Sequence, residues 1–193
     1  MRFPLIMLTL LTSLLPGCSK YESPDYQVLR SEGAFQIRDY PALTVVSTTM
    51  HQGGTDGSFM KLFRYISGRN EQSAKISMTT PVLTTGTTSG TMSFVLPKAV
   101  AIKGAPAPSN SDVTLHELPG ARYASYRYSG SSNPGSGEKA AAKLLAWAQE
   151  QHLHTEGYPI FAYYNPPWTP GFMRRNEVMI RLVPEGLHTS ARP

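Results

Sequence analysis

Aromatic, methionine and basic side chains stand close together in one short segment of the sequence. Phe59, Met60 and Phe63 lie beside Lys61 and Arg64. An apolar surface flanked by cations suits a flat macrocycle with carboxylate arms, because the cations can pair with the carboxylates. The alternative is an ordinary helix core, in which residues of these types at helical spacing pack inward. Met60 falls outside the apolar helix stripe described below, which leaves this side chain without a core partner.

His51 ends a predicted strand and opens the loop that leads to this segment. An imidazole at such a position can ligate a haem iron from the mouth of a groove. The alternative is a solvent-exposed loop histidine. His152 and His154 could chelate a metal, but polar residues commonly finish exposed helices, and His116 alternates in a strand pattern that places it on the surface.

A proline-rich stretch over residues 163–178 predicts a stiff loop between two strands, because proline cannot donate to a sheet ladder. This loop displays Trp168 and Phe172 and could close over an apolar ligand. Alternatively, Arg174, Arg175 and Glu177 form an ion-pair network that holds the loop to the body of the protein. Both interpretations remain open at this point.

Catalytic motifs of the common kinds are missing from the sequence. It has no Gly-x-Ser-x-Gly, no His-Glu-x-x-His, no P-loop and no dinucleotide-binding glycine pattern. A hydrolase or isomerase that uses a carboxylate in a groove remains an alternative, with Glu71, Glu117 and Glu177 as the candidates. A strongly raised carboxyl pKa in a deep pocket would favour it.

The single cysteine excludes an internal disulfide framework and every cysteine-based zinc or iron–sulfur site. Residues 1–17 have the basic start and short apolar stretch of a secretory signal peptide, and they are too short and too interrupted by proline for a membrane span. Leu15-Pro16-Gly17-Cys18 resembles the lipobox of bacterial lipoproteins, in which the cysteine is acylated and becomes the new N-terminus. Cys18 is therefore predicted to anchor the protein in a membrane, with residues 18–25 as a tether. Ser19, where inner-membrane lipoproteins commonly carry Asp, favours the outer membrane, facing the periplasm.

Period-two patterns predict strands over residues 26–30, 34–38 and 43–47 in the first half of the chain. A helix-start cluster at 55–58 then precedes Phe59, Leu62, Phe63 and Ile66 at i, i+3, i+4 and i+7. Gly68 is expected to end that helix. Strands over 75–79 and 91–96 follow, joined by the loop 84–90, and a linker rich in proline and small residues covers 101–111.

The same order returns after the linker. Strands are predicted over 113–117 and 122–128, followed by a helix with Ser136 as its N-cap. This helix covers 138 to about 151 and its apolar face comprises Ala141, Leu144, Leu145 and Ala148, with Trp147 at the edge. Strands over 158–164 and 177–183 complete the pattern. The pattern predicts the α+β class, with two copies of a strand–helix–strand–strand unit whose strands pack together into one curved sheet or barrel and whose helices lie outside it.

The net charge of +5 comes from scattered basic residues that form no run able to follow a phosphate backbone. Nucleic acid is therefore not an expected partner. A modest positive charge is compatible with an anionic small ligand or with a membrane surface, and it does not choose between them. Protein partners are not indicated.

Several separate motifs resemble the SOUL haem-binding protein family. They are Gly68-Arg69-Asn70, Lys75-Ile76-Ser77-Met78-Thr79-Thr80-Pro81-Val82, and Pro167-Trp168-Thr169-Pro170 with Arg174-Arg175-Asn176-Glu177-Val178. The resemblance implies a single domain over 26–185, with pseudo-repeats 26–100 and 111–185 that form a distorted antiparallel β-barrel flanked by two helices, and a tail over 186–193. It also implies tetrapyrrole binding in an apolar groove beside the first helix. Carried onto this sequence, Phe59, Met60 and Phe63 are the contacts and Arg64 is the propionate partner.

The expected function is that of a membrane-anchored cell-envelope protein that binds haem or a related tetrapyrrole and is not an enzyme. His51 is the candidate axial ligand. The alternatives are the envelope hydrolase or isomerase and a scaffold lipoprotein that binds no small ligand. Exposure of Met60 and Phe63 in a cleft would favour the first expectation, because buried side chains could not form the walls of a ligand site.

Overall fold

Nine β-strands and three α-helices make up the described part of the computed structural model, which comprises residues 21–51, 57–87, 89–131 and 134–183. The strands are β1 Gln27–Glu32, β2 Phe35–Tyr40, β3 Leu43–Met50, β4 Val82–Thr84, β5 Gly90–Val95, β6 Thr114–Leu118, β7 Ala121–Tyr128, β8 Thr155–Tyr163 and β9 Asn176–Leu182. The helices are α1 Ser58–Ile66, α2 Lys98–Lys103 and α3 Pro134–Glu150, and a short 3-10 helix covers Gly171–Met173. Cys18 and the predicted signal peptide lie outside the described residues, as does the C-terminal tail.

All nine strands belong to one antiparallel sheet with the order β1-β2-β7-β9-β8-β4-β5-β3-β6. The α+β class is therefore confirmed. Within the described ranges no strand pairing joins β1 to β6, so the sheet is open and the distorted barrel that the family resemblance implies is not confirmed. Helices α1 and α3 pack on the sheet, α1 against β3 and β5 and α3 against β7, β8 and β9.

Apart from the edge strand β1, the strand order is symmetric about the β8–β4 pair. The first half of the chain contributes β3-α1-β4-β5 and the second half contributes β7-α3-β8-β9, each as a strand, a helix and two strands. The strand that precedes each unit pairs with the other unit. Strand β2, from the first half, pairs with β7, and β6, from the second half, pairs with β3. The two halves therefore share one sheet, with β4 and β8 joined at its centre over Val82–Thr84 and Phe161–Tyr163.

Helix α1 has the predicted limits but turns a different face to the sheet. Ser58, Leu62, Tyr65 and Ile66 are buried, whereas the predicted core residues Phe59 and Phe63 are exposed together with Met60. Positions 58, 62, 65 and 66 lie on one side of a 3.6-residue helix, and 59 and 63 are each rotated from it by one residue. Tyr65 completes the inward face, and its hydroxyl donates a hydrogen bond to the carbonyl of Pro106 at 2.8 Å.

Helix α3 begins at Pro134, earlier than the sequence predicts, so Ser136 lies inside its first turn rather than at the N-cap. Its inward face also differs from the prediction, because Trp147 is buried in the core and Leu145 is exposed. Trp147 stacks on Phe35 with ring centroids 4.9 Å apart. Proline is well tolerated in the first turn, where its missing N–H has no helical partner to lose.

Two segments depart from the predicted order. Residues 75–79 form no strand, because within the described ranges their only β-pairing is the isolated Glu22–Thr79 bridge. Ile76 is buried, and its backbone N–H donates to the carbonyl of Ile66. The period-two pattern in this segment therefore indicates an alternation of burial and not pairing in the sheet. Strand β4 occupies 82–84 and was not predicted. Helix α2 was not predicted either, because its residues 98–100 lie between the predicted strand and the predicted linker and its residues 101–103 fall in that linker.

Both faces of the sheet are covered. Val45 and Val46 are consecutive in β3, point to opposite faces and are both fully buried. Val46 belongs to the core beneath α1, and Val45 belongs to a core on the other face. No helix within the described residues combines the length and the apolar character that crossing a membrane requires.

Candidate functional site

A cavity of about 830 Å³ lies on the helix side of the sheet, between α1 and the loop that follows β8. Its floor is formed by side chains from β3, β4, β5 and β8, near the central β4–β8 pair. The volume is in the usual range for small-molecule sites, which are about 300–1,000 Å³ and mostly apolar. The cavity spans the two halves of the chain, because α1 belongs to the first half and the loop to the second.

Helix α1 forms the first wall with Phe59, Met60 and Phe63. The side chains of Met60 and Phe63 are 46% and 41% exposed, so they face the cleft and not the core. The rings of Phe59 and Phe63 are stacked with an angle of 13° between their planes. Phe59 also packs edge-on against the buried ring of Phe94, which fixes this aromatic pair to the sheet.

Methionine dominates the floor. Met50, Met78 and Met92 line the cavity together with Met60 from the helix wall. Met50 and Met92 lie diagonally across the β3–β5 ladder, since Met92 pairs with Thr48 and Met50 pairs with Gly90. Unbranched, polarizable methionine side chains adapt their shape to a ligand more readily than branched ones. The floor is therefore apolar and adjustable.

The loop between β8 and β9 forms the second wall with Pro166, Pro167 and Trp168. Arg174 holds this loop in shape, because its guanidinium donates to the carbonyls of Thr169, at 2.7 Å, and Pro167. The backbone N–H of Thr169 donates to the Pro166 carbonyl and closes a turn at the tip. The wall is therefore internally braced, as proline content alone suggests.

Glu177 fastens the base of the same loop from the opposite face of the sheet. This fully buried carboxylate accepts hydrogen bonds from Arg38 at 2.6 Å, from Arg175 at 2.8 Å and from the hydroxyl of Tyr164 at 3.2 Å. Tyr164 and Arg175 are at the two ends of the loop and are also joined through their backbones. The predicted network that holds the loop is thus present, with Arg38 as the unpredicted partner and Arg174 bonded to loop carbonyls instead.

Electrostatics keep Glu177 ionised. Burial would raise the pKa of its carboxyl, but the hydrogen bonds and charges of Arg38 and Arg175 outweigh burial and leave the pKa below its ordinary value. Burial also raises the pKa of the neighbouring Tyr40 hydroxyl to about 12, against the opposing charge of Arg38. A carboxylate held in this state by two arginines acts as a structural anion and is a poor proton donor at neutral pH.

Of the predicted site residues, Phe59, Met60 and Phe63 come together in the cavity wall. Arg64 is exposed on α1 and is not among the residues that line the cavity. His51 follows the last residue of β3, as predicted, and is exposed beside the lining residue Met50. The roles predicted for Arg64 and His51 stay predictions.

The predicted catalytic carboxylates are not gathered at the cavity. Glu71 and Glu117 are exposed and Glu177 is on the other face of the sheet. No aspartate, glutamate or histidine of the described chain lines the cavity, and the described residues contain no cluster of three such side chains or cysteines that could hold a metal.

Sequence reasoning missed the residues contributed by the sheet and by the start of the described chain. Met50, Met78 and Met92 line the cavity, as do Tyr163 and Tyr21. Methionines placed at strand ends and in an extended segment are a usable signal only once their strands are known to be neighbours. That adjacency depends on long-range pairing, which the local sequence does not contain.

Comparison with known proteins identifies a family. The family model for the SOUL heme-binding protein matches residues 21–181. No curated protein matches the chain at a significant level.

Solved structures give a second comparison. The C-terminal domain of EcmrR has a TM-score of 0.57 at 12% identity, covering 82% of this chain and 98% of that domain. A hydrolase from Listeria innocua has a TM-score of 0.54 at 9% identity, covering 80% of this chain and 94% of that one. At such identity the similarity shows the fold alone.

Proposed function

Because the chain belongs to the SOUL haem-binding protein family, we propose that it binds haem or a related tetrapyrrole in the cavity beside α1. The observation that carries the proposal is the cavity itself, whose wall presents Phe59, Met60 and Phe63 to open space. Large apolar side chains left exposed in a concave surface mark ligand sites.

The residues present suit a tetrapyrrole. The rings of Phe59 and Phe63 give the helix wall an aromatic surface against which a macrocycle can pack, and the methionine floor can adapt to its opposite face. When bound, haem would supply a planar apolar ring, two carboxylates and an iron. Methionine and tyrosine both serve as haem ligands in proteins, so the cavity contains candidate ligands in addition to the predicted His51.

The charged arms of the ligand require cations near the cavity mouth. Arg64 is the proposed propionate partner, because it follows Phe63 on α1 and carries a long side chain exposed to solvent. Guanidinium groups pair with carboxylates through two parallel hydrogen bonds.

We also propose that the protein is a lipoprotein of the cell envelope, acylated at Cys18 and held at the outer membrane facing the periplasm. The support is the sequence Leu15-Pro16-Gly17-Cys18 at the end of an apolar stretch. Acyl chains contribute about 0.8 kcal/mol per buried methylene, so an acylated cysteine is a lasting anchor. In this role the protein is a binding protein and not an enzyme.

Hemin titration tests the proposed function. All described strands and helices lie within residues 27–182, so a chain starting at Ser19 retains them. We expect this chain to give a saturable shift of the Soret band. Absence of a shift at hemin concentrations on the order of tens of micromolar, well above a specific dissociation constant, would refute haem binding.

The alternative of a carboxylate-dependent hydrolase gains no support from this cavity. None of its lining residues in the described ranges is acidic, and the Listeria innocua hydrolase shares only the fold at 9% identity. Binding therefore remains the function that the site supports best.

A further inference from the structure

Three large apolar side chains stand exposed at the tip of the loop that forms the second cavity wall. Trp168 and Phe172 are 83% and 81% exposed, and Met173 is exposed beside them. Trp168 lines the cavity, whereas Phe172 and Met173 lie beyond it in the short 3-10 helix. We call these three residues the apolar rim.

The fold presents the apolar rim in a fixed position. Gly130 donates its backbone N–H to the carbonyl of Gly171 at 2.9 Å, which ties the 3-10 helix to the end of β7. The side-chain amide of the buried Asn176 donates to the carbonyl of Gly130, and Arg174 braces the loop as described above. Apolar side chains held rigidly in water point to an interaction surface rather than to a collapsed loop.

The start of the described chain is fixed beside the same cavity. Tyr21 lines it, and the next residue is pinned in place because the carbonyl of Glu22 accepts a hydrogen bond from the backbone N–H of Thr80 at 2.8 Å. The side chain of Glu22 also accepts from the backbone N–H of Lys98. Cys18 precedes Tyr21 by three residues, and three Cα–Cα steps of 3.8 Å reach no more than about 11 Å. An acyl anchor on Cys18 therefore brings the cavity close to the membrane.

We propose that the apolar rim contacts the lipid bilayer and that the cavity takes up its apolar ligand directly from the membrane. This inference rests on the lipid anchor and the ligand class of the proposed function. Tryptophan and phenylalanine are favoured at the boundary between headgroups and acyl chains. The loop residues 164–175 include no acidic residue, and the guanidinium of Arg174 is bonded to neutral loop carbonyls, which suits an anionic lipid surface.

A membrane explains the apolar rim better than a protein partner does, because the proposed acyl anchor on Cys18 already holds the protein at the bilayer surface. The short distance from Cys18 to Tyr21 keeps the cavity near the bilayer. At that position the lipid can remove the three exposed apolar side chains of the rim from water. A protein partner remains an outcome of the test below.

Vesicle binding without ligand is the first test. The chain starting at Ser19 is mixed with vesicles of phosphatidylcholine and phosphatidylglycerol whose acyl chains carry bromine, and tryptophan emission is recorded. The chain has two tryptophans, and Trp147 is buried, so quenching should arise from Trp168 and disappear in Trp168→Phe. The double variant Phe172→Ser with Met173→Ser should bind vesicles about tenfold more weakly, since it loses apolar side chains that enter the lipid.

Tyr158→Ser is the matched control, because Tyr158 is an 83% exposed aromatic residue on β8 that does not line the cavity. It should leave vesicle binding unchanged. Equal binding by the double variant and the parent chain would overturn the assignment of the apolar rim. Absence of vesicle binding by the parent chain would also overturn it and would leave a protein partner as the occupant.

Transfer kinetics test the route of uptake. Hemin is loaded into vesicles, and its transfer to the protein is followed in the Soret band. Uptake by contact predicts a rate that rises in proportion to protein concentration and falls several-fold in the double variant, while hemin affinity in solution is unchanged. A rate independent of protein concentration would mean transfer through water and would overturn direct uptake while retaining the proposed function. Vesicle binding without any hemin binding would refute the proposed function and retain the apolar rim.

Discussion

Replacing Phe63 with aspartate tests the ligand wall most directly. Phe63 lies on α1 with its ring stacked against Phe59, and 41% of its surface is open to the cavity. It belongs to none of the buried cores, so the substitution changes the cavity wall more than the fold.

The expected loss of hemin affinity follows from the surface of Phe63 that a bound ligand would cover. Full burial of a phenylalanine side chain contributes about 1.5–3 kcal/mol, so the open 41% contributes about 0.6–1.2 kcal/mol when a ligand covers it. Phe63→Ala should therefore weaken binding by about three- to eightfold. Phe63→Asp adds the cost of covering an unpaired carboxylate, about 2 kcal/mol or more, which gives a loss of about 100-fold.

Leu145→Asp is the matched control, because Leu145 is 40% exposed on α3 and does not line the cavity. Hemin titration in the Soret band measures the dissociation constants, and thermal melting by circular dichroism checks that each variant is folded. We expect weak binding for Phe63→Asp and parental binding for Leu145→Asp. Equal affinities in the two variants, with both folded, would refute the placement of the ligand beside α1.

Further outcomes are expected for four other variants. Glu177→Gln should lower the free energy of unfolding at pH 7 by about 3–5 kcal/mol, because it leaves Arg38 buried without its counter-charge. In the parent protein the lowered pKa of Glu177 contributes stability above the ordinary carboxyl range, so melting temperature should fall below about pH 4.5, and this acid limb should be shallower in Glu177→Gln. Asn70→Ala should cost about 3 kcal/mol in urea unfolding, because the buried amide makes three hydrogen bonds that close the end of α1. His51→Ala should change the spin state of bound iron in the absorption spectrum, and an unchanged spectrum would remove the predicted axial ligand. Cys18→Ser should abolish incorporation of labelled palmitate, and retained label would contradict acylation at that residue.

The sequence predicts elements whose signals are local. Alternating β-branched and aromatic residues gave most strands to within a few residues, and the Thr-Asp-Gly-Ser cluster gave the start of α1. The direction of each helix face was harder to predict. Phe63 and Leu145 both fit an apolar stripe, and only packing against particular strands shows that Tyr65 and Trp147 point inward instead.

The candidate site also has a part that local sequence signals predict and a part that depends on long-range pairing. Its α1 wall was predicted, because Phe59, Met60 and Phe63 lie within one short segment and Met60 lies off the stripe. Its floor was not, because Met50 and Met92 meet only through the β3–β5 register. The buried partner of Glu177 was missed for the same reason, since Arg38 is 139 residues away along the chain.

The family motifs in the sequence also acquire structural explanations. Asn70 closes the segment after α1, and its side chain bonds to the backbone of Tyr65 and Ala74. Arg174 and Arg175 brace the loop opposite α1. These motif residues hold the segments around the cavity in place, while the cavity surface itself is formed mostly by less distinctive apolar residues.

The exchange of strands between the halves has a consequence for how the chain folds. Strand β2 completes the sheet only beside β7, and β6 only beside β3, so a chain cut between the halves would leave each fragment with unpaired strand edges. Such fragments should be unstable alone and should recover the sheet on mixing. Because the β2–β7 contact closes a loop of more than 80 residues, folding should be slow and should complete the two halves together.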